Sequence, residues 1–180
     1  DLLVRAGERI DAELSADPAA AAELGVIVGD GLSALGVPER GEPVLRRAVQ
    51  RAQTTLGPRH PVTVHGRARW AESLYRQHPQ QAAQVAQALV PDALAGLPAT
   101  AADASAAYRS VAIDHVDHQR AGQALDAAQQ AVDVAERHLG PNHRETIVAL
   151  LILSGVQASV GTPDQQLAAA ALAMQRAQSA

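Results

Sequence analysis

Leu56-Gly57-Pro58-Arg59-His60-Pro61-Val62-Thr63 returns 83 residues later as Leu139-Gly140-Pro141-Asn142-His143-Arg144-Glu145-Thr146. A Gly-Pro step stops a helix, because glycine accepts left-handed geometry and proline cannot continue the hydrogen-bond ladder. The residues that follow open the next helix. The interval is close to twice 42, and other breaks keep the same beat: Gly36, His78, Gln119 and Gly161 lie 42, 41 and 42 residues apart. Gly96-Leu97-Pro98 stands where the intermediate loop is due, as a worn copy. A helix pair of this length cannot bury its apolar face alone, so recurring pairs must stack on one another.

Reading outward from these loops, the spacing predicts helices over residues 2–14, 18–35, 39–56, 61–77, 79–97, 100–114 and 119–139. One more begins at the cap Asn142, and a last one covers 165–180. Asp17 is placed to cap the second of these, with Pro18 at the first helical position, where its missing N–H costs nothing. Glu145 is placed to bond back to the Asn142 cap. Alternating β-branched runs are absent, so no strand is expected. The predicted fold is all-α, a solenoid of antiparallel helix pairs. It has about four repeats (18–59, 60–100, 101–142, 143–180) within a domain over 15–180, preceded by an N-terminal helix over 1–14 that ends an earlier repeat or caps the array.

Composition agrees with stacking rather than a single nucleus. Forty of the 180 residues are Ala, 47% are hydrophobic and only 2% aromatic, so each contact buries little area. Small residues fall where paired helices must touch: Gly29, Ala71, Ala112 and Ser154 each stand seven before a turn, and Ala48 and Ala131 eight before a Leu-Gly-Pro stop. The last predicted helix is Ala-rich with few charges, which implies a neighbour beyond residue 180.

There is no Cys, so disulfides, thiolate zinc sites and cysteine nucleophiles are excluded. All 15 cationic residues are Arg, which excludes a phosphate-loop lysine, a Schiff-base lysine and the ATP-binding lysine of a kinase. No Ser/His/Asp set has a supporting elbow, and no cofactor motif is present, so this chain is not expected to be an enzyme. The apolar run over 146–160 is shorter than the ~20 residues of a membrane span. A cytoplasmic location, away from membranes, is the expectation. The start lacks a Met, as in a fragment of a longer protein.

Charge is unevenly distributed. Residues 40–76 hold eight Arg against Glu42 and Glu72, a net +6, and the remainder carries −10. Such polarity either steers a charged ligand or lies on solvated helix faces.

A helix pair with Gly or Ala at the close contact, a turn Gly, and Leu-Gly-Pro-x-His-Pro between units resembles the tetratricopeptide repeat, in its 42-residue, kinesin-light-chain-like variety. Gly29, Leu32, Gly36, Leu45 and Ala48 match the pattern in the first unit, and Val111, Ala112, Ala124, Ala128 and Ala131 in the third. The usual aromatic at the inner end of the first helix is replaced by Leu32, Leu74, His115 and Gln157, and Gly41 replaces a small alanine. The run from Arg5 to Pro18 also resembles the segment leading into such repeats in bacterial serine/threonine protein kinases. Similar repeats follow DNA-binding or nucleotide-binding domains in bacterial regulators.

The resemblance implies that the helix pairs wind into a right-handed superhelical solenoid, a non-catalytic scaffold that holds a peptide, helix or partner domain in a concave groove lined by the first helices of successive units. Carried across, that groove presents His65, Arg69, Glu72, Tyr75 and Arg76 in the second unit. Arg109, Ser110 and Asp117 follow in the third, Glu23 and Asp30 in the first, and Val148, Leu151 and Ile152 in the fourth. The planar fork of Arg suits a carboxylate, so Arg69, Arg76 and Arg109 make an acidic protein or peptide the expected partner, with Tyr75 as an apolar wall.

Asp114-His115-Val116-Asp117-His118 has metal-like spacing but sits at a turn, where Asp117 or His118 is placed to cap a helix. It reads as structural, and no metal is expected. His60 and His143 follow the Leu-Gly-Pro loops and are placed to cap or orient them. Self-association through bare end helices is a second expectation for a partner. Nucleic acid binding is disfavoured by the net acidity and scarce aromatics.

Overall fold

The computed structural model describes residues 5, 9–10, 13–14, 16–160 and 163–178, with the side chains of 163–166 left aside. Every regular element among them is helical: α1 (Pro18–Ala34), α2 (Pro38–Thr55), α3 (Pro61–Leu74), α4 (Pro79–Ala95), α5 (Ala101–Asp117), α6 (Ala121–Leu139), α7 (Arg144–Val160) and α8 (Pro163–Gln178). The helix expected over 2–14 falls largely outside the described residues. Within it, Arg5, Arg9, Ile10 and Glu13 are helical. The turn expected at Gly161 and the Thr162 that follows also fall outside them. None of the described helices is long and apolar enough to cross a membrane.

Helix starts follow local chemistry. Asp17 accepts the Ala20 N–H at 3.0 Å, and Pro18, Pro38, Pro61 and Pro79 each stand at the start of a helix. His60 and His143 use Nδ1 to accept the N–H two residues on, from Val62 at 3.3 Å and Glu145 at 3.1 Å. Asn142 is therefore not the cap of α7. The loop reaches one residue further because Thr146 Oγ1 donates to the Gly140 carbonyl at 2.7 Å, which folds the Gly-Pro step back onto the first turn.

Two helix ends also differ from expectation. α3 stops at Leu74, and residues 75–77 form a turn closed by the His78 N–H on the Leu74 carbonyl. α5 continues to Asp117, so His115 and Asp117 belong to the helix rather than to the turn. Nothing in this segment interrupts the ladder until Gln119 takes left-handed geometry at φ +57°, the role Gly36 plays at φ +81° in the first turn. Neither Asp117 nor His118 caps α6. That position is Arg120, without a side-chain bond, and His118 closes the end of α5.

The chain divides into two compact units, residues 1–96 and 97–180. In the first, α1 packs on α2, α2 on α3, α3 on α4, and α1 also touches α3. In the second, α5, α6, α7 and α8 repeat the scheme, with α5 touching α7. The first helices of successive pairs are thus neighbours inside each unit. The interiors are mainly alanine and valine with a few leucines, Leu45, Leu74 and Leu89 being fully buried. At the tightest point α1 and α2 meet through two glycines. A Cβ on Gly41 would stand 2.6 Å from the Gly29 carbonyl oxygen, and one on Gly29 would stand 2.6 Å from Leu45 Cγ.

Candidate partner-binding faces

On α3, the residues Val64, Arg67, Ala68, Ala71 and Leu74 face inward, a stripe with helical spacing. The expected binding residues occupy the other face. His65, Glu72, Tyr75 and Arg76 are exposed and Arg69 half-buried, and His65, Arg69, Glu72 and Arg76 recur at steps of four, three and four along one edge. Tyr75, 43% exposed, stands at the end of this edge. Arg69 is already engaged. Its two terminal nitrogens grip Glu72 at 2.9 and 3.2 Å in a fork, while its Nε is shielded and has no acceptor. On the neighbouring α1, Glu23 is exposed and Asp30 half-buried, and Ile27 is 65% exposed, a large apolar side chain turned to solvent.

In the second unit the expected residues lie on α5. Arg109 is not open to a ligand in the same way: its guanidinium binds Glu145 on α7 at 2.9 Å, and the side chains are only 11% and 16% exposed. This pair ties one helix hairpin to the next. Ser110 donates to the Ala106 carbonyl of its own helix at 3.2 Å, and Asp117 is exposed. On α7, Leu151 is exposed and Val148 and Ile152 half-buried, an apolar surface of the kind expected there.

Two functional-looking arginines have structural work that the linear charge pattern hides. Arg67 on α3 donates to Asp92 at 2.7 Å and to the Ala88 carbonyl at 2.7 Å, both on α4. Arg59 reaches the same carboxylate at 3.5 Å from an exposed position. Asp92 lies outside the Arg-rich segment, so folding brings in a counter-charge that the count along the chain leaves out. Trp70 on α3 donates its ring N–H to Glu42 on α2 at 3.0 Å. The signal for Arg67 was present in the sequence: position 67 belongs to the inward stripe 64-67-68-71-74.

The His/Asp segment is a network without metal geometry. Asp114 accepts from Arg120 at 2.7 Å and lies 3.2 Å from His118 Nδ1, which also meets the Asp114 carbonyl at 2.8 Å. Among the described residues no His/Asp/Glu group is arranged to hold a metal ion. His115 is different. Its side chain is 12% exposed, 3.8 Å from Asp114 Oδ2, with Nδ1 shielded and unpartnered. Burial holds its imidazole below the ordinary value; Arg120 adds to this, Asp114 opposes it, and His118 adds again. The unfolded chain therefore takes up a proton at higher pH than the folded one. The neutral form supports the fold above about pH 6.5, and stability falls as the pH drops below that value. Chemical denaturation at pH 7.5 and 5.5 should show the wild type losing more stability than His115→Leu, the residue type that positions 32 and 74 carry at this register. Equal losses would remove His115 from the account.

With the geometry in place, two comparisons bear on class. Residues 105–145, which cover most of α5, all of α6 and the loop beyond, match the family model described as tetratricopeptide repeat. The fold resembles the crystal structure of BtubC (BKLC) from P. vanneervenii, with a TM-score of 0.74 over 98% of this chain and 70% of that one, at 15% sequence identity. No curated protein sequence matches the chain. The architecture is thus all-α, of adjacent helix pairs in the manner of tetratricopeptide repeats.

Proposed function

We propose that the chain is a non-catalytic protein–protein interaction scaffold that binds a peptide, a helix or a partner domain along the first helices of its repeats. The observation that supports this reading most is the exposed set His65, Arg69 and Glu72 on α3 with Tyr75 and Arg76 in the turn that follows, together with the exposed Ile27 on α1, a helix that touches α3. Such an edge offers an apolar anchor between charged groups, the composition of a recognition surface. His65, Arg69 and Glu72 stand on a helix packed into the core, so little ordering cost attends binding there. Arg76 carries the contact with an acidic partner. Arg69 contributes after exchanging Glu72 for a ligand carboxylate; in the second unit, taken by itself, Asp117 and Ser110 are the corresponding polar residues of α5. Arg109 acts through the hairpin seam it holds closed. The likeness of the opening run to segments that precede such repeats in bacterial serine/threonine kinases favours a signalling parent.

Peptides selected on the intact chain from a random display library provide the test. The double change Arg69→Ala, Arg76→Ala should weaken the best of them at least tenfold, about 1.4 kcal/mol, with circular dichroism and melting unchanged. Peptides that bind the variant as tightly as the wild type would place recognition elsewhere.

A further inference from the structure

We draw no further inference here: the strongest candidate, the open groove where Arg5, Arg9, Ile10 and Leu14 meet Leu24 and Val28 of α1, carries nothing because nothing in the structure shows what covers it.

Discussion

Gly41→Ala should destabilise the first unit by about 2 kcal/mol. Two effects oppose each other. Alanine in a helix is favoured over glycine by about 1 kcal/mol, but its methyl group would arrive 2.6 Å from the Gly29 carbonyl oxygen and 2.6 Å from Ser33 Oγ. The first of these is backbone and cannot turn aside, and Ser33 is itself donating to that carbonyl at 3.0 Å. Separating α1 from α2 to make room costs about 3 kcal/mol, in the range of overpacked cores. The clash wins. Gly155→Ala supplies the opposite case: α7 leaves open space at that position, so the same substitution should add about 0.5–1 kcal/mol. Urea unfolding of both variants decides. A Gly41→Ala protein as stable as the wild type would mean that the two helices do not approach as closely as described.

The second large effect concerns Asp92. Arg67 is 9% exposed along its side chain and Asp92 20%. Asp92→Ala would leave a guanidinium among helices with the Ala88 carbonyl as its remaining acceptor on α4. Breaking a buried pair on one side costs about 3 kcal/mol, whereas replacing both partners with apolar residues is often close to neutral. The double change Arg67→Leu, Asp92→Leu should therefore recover most of the loss, and the register supports it, since the chain places Leu150 at the corresponding position. A loss under about 1 kcal/mol for Asp92→Ala would show that water already screens the pair.

Much of the architecture could be read from a few residues. The doubled Leu-Gly-Pro-x-His loop set the period, and the step of 41 or 42 placed each helix pair. His60 and His143 were placed at helix starts because they follow the breaks. What resisted reading has physical causes. With forty alanines, several faces of one helix look alike, so Ile27 passes for a core residue on sequence grounds although it is mostly exposed. The end of α5 was misplaced because Asp114 and Asp117 are common at caps, whereas the helix actually ends on a left-handed glutamine. Of the proposed partner face, the spacing of His65, Arg69, Glu72 and Arg76 was legible. Which arginines the fold consumes was not. Arg67 finds its acid 25 residues away and Arg109 finds its own 36 away, and no periodicity announces a partner across a hairpin.

Arg67 and Arg109, 42 positions apart, fasten different seams. One bolts the two arms of a single hairpin together. The other rivets a hairpin to its successor. Strain applied to the first unit thus meets its lock between α3 and α4. In the second the lock lies between α5 and α7, while α8 clasps α6 through its own Arg176 on Glu136. Mechanical pulling on α8 would undo that clasp while the rivet between α5 and α7 still held.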